Sequence, residues 1–554
     1  MFLLFLAIPV LSAPISASVV CYKNALVWWD MLVFLGSNFI AHAATVPTTA
    51  GAKPYDTLLW TIVVLFLPFA GLGRSWGMIK RYVSVHDGDN VQLALARGAL
   101  VFVARNEKWE PSDMHEELVY IKLPEGLKRL DEINEQTAES STVALYAVHN
   151  RSKNPRDPIA HTEVDLSHCN FNGEMKLPRG YTWAAVNIPF GLYIMKTSLE
   201  PTKGIMLARS QSWLKMAVSI AQLLAASITI YRSRGDQLYR YGYAAYGLTV
   251  IPYAIMTAAN FMAMYLISDY PCIYVLRTSI VEEAAKRPDG LFDGVIGTLK
   301  RPRFPQPPER PLSTAKSEAD VEPCSVLESH APPDASLEKH ITQLEVPPQN
   351  LRASFGASAE SLMSSMDPGW VAAHLMLDAR THYEGTRMLI VRVGETVRRF
   401  KYTTNVDAAH VTYRFGIGSV TNEDVPVGAL VNVIKTRFMR VPVIWRRRIL
   451  TWGFLFLAFV LPYILLLVLT GFKRQSSTPS ERAWTLAWLC ASQVSYIPFA
   501  RHAEGAPYTS LNHLIWRGWP FLLFTTLMMV AAVGGYVVAG KMFIQDNNGL
   551  AQCS

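Results

Sequence analysis

The stretch ILTWGFLFLAFVLPYILLLVLTGF, Ile449–Phe472, decides how this chain is read: 24 residues without a charged side chain, rich in Leu, Phe and Val. A hydrocarbon core about 30 Å thick needs about 20 apolar residues in a helix, because each adds about 1.5 Å. A charge inside such a window is costly, so charge-free stretches carry the signal. Ile449–Phe472 therefore reads as a membrane span. Pro462 within it predicts a kink that neighbouring helices accommodate.

The same test, carried outward, finds Gly518–Gly540 and Tyr241–Ser268, both flanked by charges, and Ala483–Ala500 between Arg482 and Arg501. Thr57–Gly73 extends past Arg74 through Trp76 and Met78, and Met216–Tyr231 reaches membrane length if Lys215 and Arg232 snorkel. Ala25–Val46 is apolar apart from Asp30. Residues 1–22 carry no charged side chain, and Ala13 and Ala17 resemble a cleavage site, so a cleaved signal peptide and a retained first helix both stand open. The expected fold class is an all-α transmembrane helix bundle of seven or eight spans. It carries a membrane-proximal α+β loop domain and a largely disordered second loop.

Composition agrees with that reading. Hydrophobic residues make up 50% and charged residues 17%, against roughly 25% charged in soluble domains. A string of soluble domains is excluded, and six cysteines in 554 residues are too sparse for a disulfide scaffold. The expected divisions are 1–22 (signal peptide or first helix), 25–78 (two spans), 79–210 (soluble α+β loop domain) and 211–270 (two spans). A second soluble loop fills 271–448, three spans fill 449–541, and 542–554 is a tail. Lys and Arg near span ends set orientation. Arg74, Lys80, Arg81, Lys435, Arg437, Arg440, Arg446, Arg447 and Arg448 place both large loops in the cytoplasm, against contrary votes from Arg232, Arg234, Arg240, Lys473, Arg474 and Arg482.

In the first loop Leu118–Leu123, Thr142–His149 and Tyr181–Ile188 have strand composition, while Val91–Arg105 fits helix or strand equally. Asn150-Arg151-Ser152 is a glycosylation sequon, usable only if this loop faces the lumen. In the second loop, residues 297–366 hold ten of the 33 prolines. The run RPRFPQPPERP, Arg301–Pro311, favours polyproline II: a ligand for an SH3 or WW partner, or a disordered linker. Met388–Val393 and Thr396–Tyr402 flank Gly394-Glu395 as a hairpin, and Val411–Phe415 offers a third strand, giving a small β unit over 386–416.

Three sets of residues are candidates for chemistry. On a strand, His161, Glu163 and Asp165 would share one face, with His168 and Cys169 as further metal ligands. No C-x-x-C or HExxH spacing accompanies them, so a polar loop edge is the competing reading and no metal or other cofactor is assigned. Lys435, Arg437, Arg440, Arg446, Arg447 and Arg448, interleaved with Phe438, Val441 and Trp445, suit an anionic membrane surface or a plain topogenic signal. No nucleic-acid-binding motif accompanies this charge. Asp30, Asn38, His42, Gln222 and Asn260 are polar groups within apolar windows, and Gly73, Gly77, Gly534, Gly535 and Gly540 suit close helix packing.

Several stretches together resemble a family of filamentous-fungal (ascomycete) polytopic membrane proteins of unknown function. They are Gly36–Thr45, Ala96–Leu100 with Arg105, Trp109 and Pro111, Tyr241–Pro252, Asp269-Tyr270-Pro271, Glu282-Glu283 and Phe292-Asp293-Gly294. The resemblance implies a membrane architecture and a fungal source, and transfers no active site. The functional expectation is an integral multi-pass membrane protein, non-enzymatic, meeting lipid or protein partners through its loops. The alternatives are a transporter or channel using Asn38 and His42, and a membrane enzyme using His161–Cys169.

Overall fold

The computed structural model describes residues 25–85, 88–122, 133–148, 161–202, 204–300, 370–378, 387–404, 409–414, 441–505 and 519–547. Residues 1–22, Asn150, the proline-rich run from Arg301 onward, Lys435, Arg437 and Arg440 lie outside them.

The chain begins with α1 (Ala25–Leu35), a π-helical turn (Gly36–Ile40) and α2 (Ala41–Ala44), then α3 (Pro54–Phe66) and α4 (Pro68–Val83). A mixed region follows: α5 (Asn90–Arg97), β1 (Leu100–Arg105), β2 (Glu117–Lys122), α6 (Glu135–Ser140), β3 (Thr142–Val148), β4 (His161–Glu163), β5 (Met175–Lys176), β6 (Tyr181–Val186) and α7 (Ile188–Ser198). Helices return as α8 (Trp213–Arg232), α9 (Asp236–Tyr241) and, after two 3-10 turns, α10 (Ile251–Leu266). Next come β7 (Tyr274–Val275), α11 (Ser279–Ala285) and β8 (Leu291–Phe292), then β9 (Trp370–Asp378), β10 (Arg387–Val393), β11 (Thr396–Tyr402) and β12 (Ala409–Arg414). The chain closes with α12 (Val441–Phe459), α13 (Leu461–Thr470), α14 (Pro479–Gly505) and α15 (Trp519–Asn547).

Among the described residues, three helices are long and apolar enough to cross a membrane: Trp213–Arg232, Tyr246–Leu266 and Leu522–Asp546. Ile444–Phe459 with Leu461–Thr470 makes a fourth if that pair, bent by 41°, is one span. This falls short of seven or eight, for local reasons. Leu67 leaves helical geometry (φ −128°, ψ 74°) ahead of Pro68, so α3 ends after 13 residues, and α4 carries Arg74, Lys80 and Arg81. Ala25–Ala44 stays helical but carries a π-helical turn at Gly36–Ile40. α14 contains Pro498 with Glu481, Arg482, Arg501 and Glu504. Pro462 sits in the first turn of α13, where its missing N–H leaves no bond unmade, so the expected kink is a break at Val460.

The break at Leu67 frees backbone groups that hydrocarbon cannot satisfy. Side chains answer them. The Tyr536 hydroxyl donates to Leu65 O (2.7 Å), Trp488 Nε1 donates to Phe66 O (2.8 Å), and Phe69 N donates to Ser492 Oγ (3.0 Å). The helices also pack closely through glycine. A Cβ on Gly73 would lie 2.7 Å from Tyr496 O, and one on Gly534 would meet the Trp484 ring at 2.0 Å. Gly540 is different, since its nearest neighbour would be Met31 Sδ at an ordinary 3.7 Å.

The Val91–Arg105 ambiguity resolves into both structures. Asp89 Oδ1 caps α5 by accepting from Gln92 N (2.9 Å), Gly98 ends it at φ +83°, and β1 begins two residues later. β1 is buried at every position, in a sheet of order β4-β6-β1-β7. Leu100, Phe102 and Ala104 join a core with Leu95, Phe190 and Ile194; Val101 and Val103 join another with Val119, Ile121, Leu375 and Phe400. A strand clothed on both faces reads as a continuous apolar run.

The second core fills a closed six-stranded barrel of order β10-β11-β3-β12-β2-β9. β2 pairs antiparallel with β9 (Val119↔Ala373), and β3 lies parallel to β12 (Leu145↔Val411). The regions 79–210 and 271–448, expected as separate loops, thus build one barrel, and the strands of 386–416 are part of it. The β10–β11 hairpin turns at Gly394 (φ +58°) and Glu395, with Val393 opposite Thr396. Closure leaves the barrel without a sheet edge.

Gly73→Val should lower the stability of the purified protein by about 1–3 kcal/mol, the usual range for overpacking, while Gly540→Ala should be nearly neutral. Thermal unfolding in detergent measures both, and equal effects would contradict the packing described.

Candidate functional site

The structure separates the histidine–cysteine candidates. β4 stops at Glu163, and Asp165 turns away from it, its Oδ1 accepting from Ser167 N (2.9 Å), so Asp165 does not share a strand face with His161. His168 and Cys169 are buried beyond that turn. Burial pushes the Cys169 thiol up to about 12, which keeps it protonated and a poor ligand. Among the described residues no group of three His, Cys, Asp or Glu could hold a metal ion.

Arg446, Arg447 and Arg448 lie within α12, which starts at Val441 rather than Ile449. Arg447 Nη2 donates to Glu504 Oε1 (2.9 Å), whose other oxygen accepts from Lys80 Nζ (2.6 Å). Arg446, Arg448 and Trp445 are exposed. Arg81, expected as a topogenic cation, is buried: Nε and Nη2 donate to Ala96 O (2.9 Å) and Leu95 O (3.0 Å) at the end of α5.

Of the polar groups in apolar windows, Asp30 is exposed and Gln222 is buried with Oε1 unpartnered. The others meet. Asn38 Oδ1 accepts from Thr229 Oγ1 (2.9 Å). His42 Nδ1 lies 2.6 Å from Thr257 Oγ1; one turn along α10, Asn260 accepts from Ser75 Oγ (2.7 Å) and donates to Thr45 Oγ1 (3.2 Å). A second buried group is centred on Thr49, which accepts from Arg74 Nη2 (2.7 Å) and donates to the buried Asp56 (3.4 Å). Arg74 also stacks over Trp60 at 4.0 Å. His42 is 0% exposed, and its Nε2 has no hydrogen-bond partner. These polar groups of the helical core are the candidate functional site, because buried polar groups among apolar helices are costly and call for a reason.

A second cluster lies between sheet and barrel. Arg105, 2% exposed at the end of β1, grips Glu283 with Nε (2.9 Å to Oε1) and Nη2, donates to Leu118 O (2.9 Å), and stacks over Trp109. Trp109 Nε1 (3.1 Å) and the Tyr181 hydroxyl (2.7 Å) also donate to Glu283. Beside them Arg287 Nη2 donates to both oxygens of Glu117 (2.6 and 2.7 Å), and Ser112 N adds a third donor at 3.0 Å. Burial first, then the Glu283 carboxylate, raises Glu117 to about 7, against the pull of Arg287 and Arg105. Every carboxylate here has several donors, which is the pattern of a structural clamp. Arg105, Trp109 and Glu283 carried the family resemblance without a role, while Glu117 and Arg287 had no sequence signal.

Comparison with protein-family models, curated proteins and solved structures gives no match. The assignment therefore rests on the geometry alone.

Removing Arg287 strands Glu117, so Arg287→Met should cost roughly 3–5 kcal/mol, as breaking a buried pair does. A carboxyl held above its unfolded value stabilises fully below about pH 4.5 and loses that contribution as pH rises through about 7. The variant's deficit should therefore be smaller at pH 5 than at pH 8 in thermal unfolding. The opposite order would rule out Glu117 as the stranded group.

Proposed function

We propose that this is an integral multi-pass membrane protein with a non-enzymatic role, whose sheet and barrel meet a partner or lipid at the membrane surface. The observation that carries the membrane reading is the outward face of its helices. On α15 Leu523, Leu527, Val530, Val533 and Val537 stay exposed, and on α8 Leu214, Val218, Leu224 and Ile228 do. Such stripes belong against hydrocarbon or a partner. In this proposal α1–α2, the interrupted α3–α4 pair and α14 complete seven or eight spans beside the helices that qualify alone. The large loops face the cytoplasm, and Arg301–Pro311 offers a polyproline ligand to an SH3 or WW partner. The exposed Arg446 and Arg448 beside Trp445 support contact with anionic lipid. Membership of the filamentous-fungal family belongs to the same proposal and rests on the quoted residues.

Alkaline carbonate extraction should leave the full chain in the membrane pellet, and Asn150 should remain unglycosylated in cells. Release into the supernatant would refute the membrane reading. A glycosidase-sensitive mass shift lost in Asn150→Gln would reverse the orientation.

A second reading, passage of a solute, is favoured by the buried polar groups between His42 and Asp56 and by the unpartnered His42 Nε2. Pro68, Pro252 and Pro462, each in the first turn of a helix, line one narrow cleft that also contains Tyr253 and Trp488. Interrupted helices meeting at one place are a transporter feature. His42→Leu and Asn38→Leu should then abolish flux in reconstituted vesicles without lowering folded yield. Flux unchanged in both variants would refute passage past these groups.

A further inference from the structure

The level at which the helices stop is fixed by the structure itself. α8 begins at Trp213 and α10 ends at Leu266, and a two-way backbone bridge ties their outer ends, Ser210 N to Asp269 O and Asp269 N to Ser210 O, both 2.9 Å. α4 ends nearby with Tyr82, and α5 of the sheet region brings Leu93 to the same place. Between these ends opens a wide cleft, lined by Tyr82, Arg209, Trp213, Tyr265, Leu266 and Tyr270 among others. Its walls are about equally polar and apolar in character. Trp213 and Tyr265 are 65% and 59% exposed, aromatic side chains at the span ends where the interfacial belt is expected.

Arg209 is the cation of this cleft. Its backbone is held on both sides: Ala208 O accepts from the Tyr274 hydroxyl (3.2 Å), and Ser210 makes the bridge to Asp269. Among the described residues its guanidinium has no hydrogen-bond or ion-pair partner. The nearby carboxylate, Asp269, is already answered by Arg97 Nη2 (3.0 Å) and Ser212 Oγ (2.6 Å), and these partners hold it below the usual carboxylate range. It therefore does not cancel Arg209. Lys215, one turn into α8, adds a second cation on the same side. From the cleft the exposed face of α8 continues through Leu214 and Val218, an apolar path for a hydrocarbon chain.

We infer that this cleft binds an anionic membrane phospholipid, with Arg209 forking onto the phosphate, Trp213 and Tyr265 flanking the headgroup, and an acyl chain lying along α8. A planar guanidinium suits phosphate geometry, and an unpaired cation at headgroup depth attracts an anionic lipid. A free phosphate would satisfy Arg209 but leave the apolar half of the cleft unfilled. The inference rests on the membrane reading above, and the two fail separately, since carbonate extraction tests one and lipid retention the other.

The test is native mass spectrometry of the full chain purified from nanodiscs of phosphatidylcholine doped with phosphatidylglycerol. Wild type should retain one phosphatidylglycerol. Arg209→Gln should lower its occupancy about tenfold, the scale of losing charge-assisted hydrogen bonds, with an unchanged melting temperature. Arg209→Lys should fall between, and Arg179→Gln, at an exposed arginine outside the cleft, should match wild type. No retained lipid on wild type, equal retention by Arg209→Gln, or displacement of the lipid by millimolar inorganic phosphate would each overturn the assignment.

Discussion

Arg105 is a cation at the end of a strand with no route to water, and the architecture around the sheet follows from how its charge is met. Burying a guanidinium is tolerable only if its donors and its charge are all answered. Glu283 supplies both carboxylate oxygens from α11, Leu118 supplies a carbonyl from β2, and Trp109 supplies a ring face. These groups come from the sheet, from the barrel and from a helix that follows the second sheet edge. None can shift without stranding the charge. The clamp therefore sets the distance and angle between two β structures whose apolar cores would by themselves permit many packings.

The same economy governs the junction with the helices. Arg97 joins α5 to the end of α10 through Asp269 (3.0 Å), and Arg81 reaches from α4 to the last carbonyls of α5. Lys53 Nζ donates to Ser167 O (2.8 Å), and Ala52 bridges Cys169. Charged groups near a span end were open to reading as topogenic signals in solvent. Several instead close hydrogen bonds between helices and sheet, where charge-assisted bonds are directional as well as strong. A module tied at so many points moves with the helices that carry it.

What the sequence disclosed divides along physical lines. Apolar windows, the β10–β11 turn and the polar residues His42 and Asn260 are local properties, and each was legible from composition and spacing. The barrel was not. β2 and β9 are separated by some 250 residues of sequence, and side-chain alternation states which face is buried without naming the neighbouring strand. Span continuity was hidden differently. Charge-free length was counted across Leu67-Pro68, where a freed carbonyl at Leu65 is satisfied by tyrosines from α10 and α15 that no local pattern connects to it. The ion pairs failed for the same reason: Glu117 and Arg287 lie 170 residues apart, and Glu504 lies over 400 residues from Lys80.

Taken together, the buried polar groups fall at three depths. His42, Asn260 and Asp56 lie among the helices, the Arg97–Asp269 pair lies where they end, and the Arg105–Glu283 clamp lies between sheet and barrel. In the outer two, the carboxylates Asp269 and Glu283 each accept from at least two side chains and fix geometry, while Arg97 Nε stays unbonded. In the innermost, His42 Nε2 and Trp60 Nε1 stay unbonded with no exposure to solvent at the histidine. An unmet donor or acceptor costs about 1–3 kcal/mol, and the cost is greatest among apolar helices, where water offers no substitute. The helical core thus concedes stability at His42 and Trp60, and the carboxylates of the outer clamps hold the frame in which that concession persists.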